Sequence, residues 1–123
     1  MDVLIAEDDA TALKVLENCV RRWGYEPRTA KNGAEACDIL LDPKGPDLAI
    51  LDCLMPVMNG FDTLREIRQN RRLKGLPVIM VTAMGSEDDI IRGYQCGTND
   101  YILKPFSEEQ LVARIKNLLI LAA

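Results

Sequence analysis

The sequence predicts an α/β domain in which five parallel strands form one sheet that helices cover on both faces. Short apolar runs of strand length recur along the chain, and each is followed by a segment with apolar residues three or four positions apart. The first and third runs are apolar without alternation, which is typical of strands buried on both faces. No linker, repeat or low-complexity segment interrupts the pattern, so we expect one domain over residues 1–123.

The strands follow in order from these runs. The second run is more polar than the first and third, which favours a position nearer the edge of the sheet. Strands that alternate with helices imply right-handed crossovers and hence parallel pairing. The predicted strands are residues 3–6, 25–29, 48–51, 78–81 and 101–103.

The helices are indicated by polar residues at their starts and apolar stripes along their lengths. Gly24 ends the first helix, and the third helix is entered through Asn59-Gly60. Two helix starts have a capping-box pattern, in which Asn32 precedes Glu35 and Ser107 precedes Gln110 by three residues. The residues predicted to cap helix starts by their side chains are Asp9, Asn32, Ser86 and Ser107.

Composition excludes several classes of function. A net charge of −4 repels nucleic acid, and the basic run at residues 65–74 is interpreted as a solvated helix end. No apolar run approaches the roughly 20 residues of a membrane span, and the N-terminus lacks a basic signal-peptide region. We therefore expect a cytoplasmic protein that binds neither membrane nor nucleic acid directly.

The chain has no histidine and no CxxC pair, which argues against a Ser-His or Cys-His catalytic pair and a zinc site. Cys53 adjoins an acidic residue, but a role in a site is the minority interpretation.

Charged and hydroxyl side chains end four of the predicted strands. Glu7-Asp8 follows the first strand, Asp52 the third, Thr82 ends the fourth and Lys104 follows the fifth. Ligands of open α/β sheets bind beyond the carboxyl ends of the strands, at the switch in strand order. We therefore expect these side chains to converge.

The chemistry of this set favours phosphoryl transfer. Clustered carboxylates repel one another unless a cation joins them, and hard oxygen ligands without histidine suit Mg²⁺ or Mn²⁺. A metal together with the Lys104 ammonium could neutralise an incoming phosphoryl group. The Asp52 carboxylate could then act as the nucleophile and form an acyl phosphate.

The ordered motifs resemble the response-regulator receiver domain of two-component signal transduction over essentially the whole chain. The resemblance implies a flavodoxin-like doubly wound sheet with strand order 2-1-3-4-5 and five helices. The motifs that carry it are Glu7-Asp8, Asp52, Met55-Pro56 with Asn59-Gly60, Thr82-Ala83 and Lys104-Pro105-Phe106.

The resemblance also implies roles for the site residues. Asp52 is similar to the phosphorylated aspartate, and Lys104 and Thr82 to the residues that stabilise the phosphoryl group. The metal ligands implied are the side chains of Glu7, Asp8 and Asp52 and the main-chain carbonyl of Leu54.

Further residues resemble the family's switch and tuning positions. Thr82 and Tyr101 are similar to the switch pair, in which the aromatic ring turns inward after the threonine moves. The Lys104–Pro105 bond is expected to be cis, and X–Pro is where a cis bond costs little. Leu54 and Met84 occupy the positions that tune dephosphorylation, and neither side chain can hydrogen-bond an attacking water, which predicts slow loss of phosphate.

The expected function follows from these roles. A sensor histidine kinase or a histidine phosphotransfer protein supplies the phosphohistidine, since this chain has none. The chain itself is not expected to be a turnover enzyme. Phosphorylation is expected to switch the face of the fourth helix, fifth strand and last helix, which would bind an output domain, a target or a second copy.

Three other functions are compatible with a domain of this predicted fold class. A haloacid-dehalogenase-like phosphatase needs a second acid two residues after its nucleophile, where this chain has Leu54. A flavin-binding module needs a phosphate-cradling loop after the first strand, but residues 7–9 are acidic and repel phosphate. An interaction-only pseudo-receiver generally lacks the aspartate, threonine or lysine that this chain retains, and it stays the principal alternative.

Overall fold

A computed structural model describes residues 1–122 as one five-stranded parallel sheet with helices on both faces. The strand order is β2-β1-β3-β4-β5, so the predicted fold class is confirmed. Position 123, which the predicted domain includes, lies outside the described residues. The strands are β1 Asp2–Ala6, β2 Glu26–Ala30, β3 Leu48–Leu51, β4 Val78–Thr82 and β5 Asp100–Leu103. The helices are α1 Ala10–Arg22, α2 Gly33–Leu40, α3 Gly60–Gln69, α4 Glu87–Cys96 and α5 Glu108–Ala122.

The register of the strands decides which residues meet at the carboxyl edge of the sheet. Ala6 of β1 pairs with Leu51 of β3, so the residues that follow them leave the sheet side by side. Thr82 of β4 pairs with Leu103 of β5, and the Lys104 amide donates to the Thr82 carbonyl at 2.9 Å. The strand order reverses between β1 and β3, which opens a crevice at this edge.

The core consists of two layers, one on each face of the sheet. Alternate residues of β1 point into opposite layers, as successive side chains in a strand do. Val3 and Ile5 pack with α1 and α5, whereas Leu4 and Ala6 pack with α2 and α3. Burial on both faces explains why β1, β3 and β4 are apolar runs without alternation.

The predicted helix starts are confirmed. The side chain of Asp9 accepts a hydrogen bond from the Ala12 amide at 2.8 Å, and Asn32 accepts one from Glu35 at 2.9 Å. Ser86 and Ser107 accept equivalent bonds from the amides three residues on. Each cap satisfies a backbone donor that the helix leaves unpaired, so the sequence fixes where these helices begin.

The interpretation of the basic run as solvated is wrong for Arg68. Its guanidinium is partly buried and donates to the carbonyls of Gly97 (2.9 Å), Lys74 (3.1 Å) and Leu76 (2.6 Å). It also donates to the Asn99 side chain at 2.9 Å. Arg68 therefore joins the loops that lead into β4 and β5 at the amino edge of the sheet.

Within residues 1–122, no helix has the length and apolar character that crossing a membrane requires.

Candidate functional site

Three charged side chains meet where β1, β3 and β5 end. The Lys104 ammonium hydrogen-bonds the Glu7 carboxylate and lies 3.2 Å from Oδ2 of Asp52. Glu7 is only 2% exposed, and Asp52 and Lys104 are partly buried. The strand register places these residues together, and one ammonium between two carboxylates partly offsets their mutual repulsion.

The buried charges shift one another's pKa values. Burial raises the pKa of the Glu7 carboxyl to about 7, and the Lys104 ammonium opposes that rise. Burial also acts to raise the pKa of Asp52, but hydrogen bonding to Glu7 and the charge of Lys104 outweigh it and hold that pKa below its usual value. Burial acts to lower the pKa of Lys104, and the two carboxylates raise it overall. Asp52 therefore loses its proton more readily than Glu7 does.

The loop after β3 shapes the surroundings of Asp52. The Leu54 amide donates to Oδ1 of Asp52 at 3.3 Å, and the Gly60 amide donates to the Cys53 carbonyl at 2.9 Å. A Cβ at Gly60 would lie 2.1 Å from the Asp52 carbonyl oxygen, so only glycine fits there. The Asn59-Gly60 motif therefore places the start of α3 directly beneath the candidate nucleophile.

The donor set at this edge suits a hard divalent cation. Asp8 is exposed beside Glu7, and the Asp52 carboxylate lies at the same edge of the sheet. No three acidic or cysteine side chains among residues 1–122 converge closely enough to hold a metal by themselves. Mg²⁺ is commonly held by one or two carboxylates with waters completing its shell, so this donor chemistry fits Mg²⁺.

The two candidate switch residues hold one residue of the β4–α4 loop. Thr82 is 1% exposed, and its hydroxyl accepts from the Met84 amide at 3.3 Å. The Tyr101 hydroxyl donates to the Met84 carbonyl at 2.7 Å and lies 3.6 Å from Sγ of Cys53. The Tyr101 ring is packed inward against the core in this structure, and burial raises the pKa of its hydroxyl.

The remaining predicted residues lie around the same edge. Leu54 is 64% exposed beside Asp52, and Met84 is partly buried against the core. The Lys104–Pro105 peptide bond is cis. Sequence reasoning gave no role to Gly93, which contacts Tyr101, and it treated a site role for Cys53, whose thiol lies near the Tyr101 hydroxyl, as the minority interpretation. A glycine inside the fourth helical pattern was the signal for the former, since such a residue usually has a packing reason.

Comparison with known proteins identifies the class that this fold and site define. The profile of the response regulator receiver domain family matches residues 3–116. The chain belongs to this family, as the motifs predicted. Receiver domains are signalling domains of two-component systems and not turnover enzymes.

Particular relatives show what this chain is similar to. It is 38% identical over 117 residues to the phosphate regulon transcriptional regulatory protein PhoB of Pseudomonas aeruginosa, covering 95% of this chain and 51% of PhoB. It is 40% identical over 117 residues to the transcriptional regulatory protein CpxR of Escherichia coli, covering 95% of this chain and 48% of CpxR. The chain thus spans about half the length of the curated relatives it matches.

Solved structures agree with the sequence relatives. A protein from Chloroflexus aurantiacus described as a response regulator has a TM-score of 0.92 and 39% identity, with 97% of each chain covered. The receiver domain of the sensor histidine kinase PA1611 from Pseudomonas aeruginosa has a TM-score of 0.89 and 29% identity, covering 96% of this chain and 96% of that one. That domain is described with a magnesium ion coordinated in its active-site cleft.

Proposed function

We propose that this receiver domain accepts a phosphoryl group on Asp52 from a phosphohistidine of another protein. The observation that carries the proposal is the Lys104 ammonium, which lies 3.2 Å from Asp52 at the edge of the sheet where ligands bind. An ionised carboxylate beside a fixed cation can attack a phosphoryl group and have the new charge neutralised where it forms.

The chemical step is a simple displacement. An oxygen of Asp52 forms a bond to phosphorus while the bond from phosphorus to the partner's imidazole nitrogen breaks, and the nitrogen leaves with the bonding pair. The lowered pKa of Asp52 keeps its carboxylate ionised for attack. Lys104 would donate to the phosphoryl oxygens, which its distance of 3.2 Å from Asp52 supports, and Thr82 would supply a hydroxyl from the end of β4.

Glu7, Asp8, Asp52 and the Leu54 carbonyl are the groups that we propose hold Mg²⁺, and Mn²⁺ shares their ligand preference. Lys104 contacts both Glu7 and Asp52, whereas the exposed Asp8 forms no ion pair within residues 1–122, so Asp8 is the carboxylate most available for direct contact. A bound divalent ion would supply positive charge for the phosphoryl oxygens.

A groove beside Lys104 supports docking of a protein donor, either a sensor histidine kinase or a histidine phosphotransfer protein. It has a volume of about 350 Å³, lies between α1 and the segment after β5, and is mostly apolar. Val15 and Phe106 line it together with Lys104 itself. A partner seated there presents its histidine to Asp52, and we place this exchange in the cytoplasm.

The new charge at Asp52 then acts on the switch residues. Thr82 and Lys104 are drawn toward the phosphoryl group, and Tyr101 passes the change to the α4–β5–α5 face. Ile91, Tyr94 and Leu103 are exposed apolar side chains on α4 and β5. Such side chains suit an output domain, a target protein or a second copy of the chain, and not nucleic acid or membrane.

The test is the intact mass of the protein after incubation with acetyl phosphate, with and without Mg²⁺, beside Asp52→Ala. We expect one phosphoryl adduct that requires both the metal and Asp52. Asp47→Ala is the matched control, since Asp47 is an acidic residue at the opposite edge of the sheet. No adduct with any phosphodonor would leave the interaction-only pseudo-receiver as the better description of this chain.

A further inference from the structure

The Tyr101 ring occupies a narrow slot beside the phosphoryl site, between α4 and the residues that follow β3 and β4. Gly93 of α4 forms one wall, Sγ of Cys53 lies 3.6 Å from the hydroxyl, and the Met84 carbonyl accepts the hydroxyl proton at 2.7 Å. We call these three groups the Tyr101 slot.

Gly93 leaves space that no other residue would leave. A Cβ at position 93 would lie 2.9 Å from both Cδ2 and Cε2 of Tyr101, and 3.3 Å from Sδ of Met80. Real Cβ atoms are not found under 3.0 Å from a neighbour, so either the ring or the helix must move. Gly93 is also the only buried residue within Glu87–Cys96.

Cys53 fixes the polar end of the ring. The Tyr101 hydroxyl donates its one proton to the Met84 carbonyl, so it can only accept a hydrogen bond from Cys53. The thiol must therefore be the donor. Cys53 is fully buried and directly follows Asp52 in the chain. The thiol therefore connects the backbone of the phosphoryl site with the hydroxyl of the switch residue.

We infer that Gly93 and Cys53 are positioning residues that set how far Tyr101 stays inward, and so how strongly a charge at Asp52 reaches the surface of α4 and β5. The part that concerns Asp52 rests on the proposed function, whereas the position of the ring does not. Met84 is held at its amide by Thr82 and at its carbonyl by Tyr101. A displacement of Thr82 therefore acts on the same loop residue that the ring holds.

The experiment follows Tyr101 without a phosphodonor, by NMR of protein whose tyrosines carry ¹³C in the ring. The chain has three tyrosines, and Tyr101→Phe assigns the signal. In the wild type we expect Tyr101 to be shielded from a soluble paramagnetic probe, unlike Tyr94, which is 48% exposed. In Gly93→Ala we expect the Tyr101 signal to become as accessible as that of Tyr94. Gln95→Ala, an exposed substitution in the same helix, should change nothing.

The cysteine provides a second measurement that does not depend on a steric clash. We expect Cys53→Ala to increase the exposure of Tyr101 and Cys53→Ser, which keeps a hydroxyl donor, to restore the wild-type signal. Cys19→Ala is the control, since Cys19 is buried in the other core layer. A Tyr101 signal that is unchanged in folded Gly93→Ala or in Cys53→Ala would overturn the inference. If Gly93→Ala does not fold, the cysteine series decides.

Phosphorylation is measured separately on the same variants by intact mass. Neither Gly93 nor Cys53 touches the reacting atoms, so we expect the Asp52 adduct to form in both Gly93→Ala and Cys53→Ala within about twofold of the wild-type rate. If the wild type forms no adduct, the result would count against the proposed function, and the ring measurement would remain valid. If the wild type forms the adduct but the Tyr101 signal is unchanged in the variants, the result would count against the inference about the Tyr101 slot alone.

Discussion

Two partly buried cations lie at opposite edges of the same sheet, and they have opposite surroundings. Lys104, at the carboxyl edge, faces the carboxylates of Glu7 and Asp52. Arg68, at the amino edge, faces three carbonyls and one side-chain amide, and no acidic group within residues 1–122 forms an ion pair with it. Burial accordingly lowers the pKa of Arg68, whereas the carboxylates raise that of Lys104 overall.

The difference separates a charge used for chemistry from one used for structure. The carboxylates around Lys104 can gain or lose protons and can exchange the ammonium for another cation, so that cluster can respond to a new charge. Carbonyl oxygens have no such alternative. The Arg68 guanidinium donates to its acceptors from a rigid planar group, and it holds two loops together.

The largest expected effect is on stability and comes from Arg68→Met. It removes four hydrogen bonds and leaves two of their acceptors, the carbonyls of Gly97 and Leu76, unpaired by Arg68 in partly buried positions, which should cost about 3 kcal/mol in the free energy of unfolding. Urea denaturation measures this, and Arg65→Met, an exposed position on the same helix, should change stability by no more than about 0.5 kcal/mol. If Arg68→Met lowers the free energy of unfolding by less than about 1 kcal/mol, the contrast with Lys104 is wrong, because the hydrogen bonds of Arg68 then contribute little to stability.

The counterpart is Lys104→Met, whose expected effect is on rate. Loss of a preorganised cation beside the nucleophile should slow phosphorylation of Asp52 by acetyl phosphate about 100-fold, or about 2.7 kcal/mol in the activation free energy. Its stability loss should be smaller than that of Arg68→Met, because Glu7 can take up a proton and carbonyls cannot. Time-resolved intact mass and urea denaturation check both parts. A phosphorylation rate equal to that of Lys44→Met, an exposed control, would refute the role of Lys104.

A third prediction concerns the pH dependence that only the carboxyl edge should produce. The pKa of Glu7 is about 7 in the folded chain and 4.5 as its ordinary value, so the folded state binds more protons between these pH values. The contribution of the Glu7 carboxyl to the free energy of unfolding is fully present below pH 4.5 and is lost as pH rises through 7. We expect a loss of about 2 kcal/mol in metal-free buffer, less than the full linkage value because Asp52 shares the proton.

Glu7→Gln tests the source of that pH dependence. The variant keeps the shape of the side chain but cannot titrate, so its unfolding free energy should be flatter than that of the wild type between pH 4.5 and 7. Glu109→Gln, on the exposed surface of α5, is the matched control and should retain the wild-type slope. Equal slopes in wild type and Glu7→Gln would mean that another group is responsible.

The sequence was sufficient for most of the fold because the central strands are buried on both faces. Such strands are continuous apolar runs, and their bounds were predicted to within one residue, at 48–51 for β3 and 78–81 for β4. The second strand was predicted at 25–29 and lies at Glu26–Ala30. The amide of Tyr25 donates to the Val20 carbonyl at 3.0 Å, so this residue closes α1 and does not extend the strand.

The site was predictable as a set of residues but not as a geometry. Parallel strands bring their carboxyl ends to one edge, so the convergence of Asp52, Thr82 and Lys104 needed only the order of elements. The partners of Arg68 and the space at Gly93 depend on contacts between residues far apart in the chain. Local sequence patterns do not determine such contacts, and Arg68 looked like any other arginine near a helix end.

The smallest expected effect concerns how long the phosphoryl group stays. Leu54 is an apolar side chain, 64% exposed at the carboxyl edge, beside the atoms that a hydrolytic water must approach. It can shield that approach but cannot orient the water, so we expect the wild-type adduct to persist for hours. Leu54→Asn adds an amide that can hold the water and should shorten the half-life about tenfold, which corresponds to about 1.4 kcal/mol in the activation free energy. This effect is smaller than the contribution of a true general base. Leu54→Val keeps the side chain apolar and should stay near the wild-type value, as followed by intact mass after removal of the donor. If the wild-type adduct disappears within minutes and does so equally in Leu54→Ala and Met84→Ala, the water is oriented by other groups and apolar shielding does not set the lifetime.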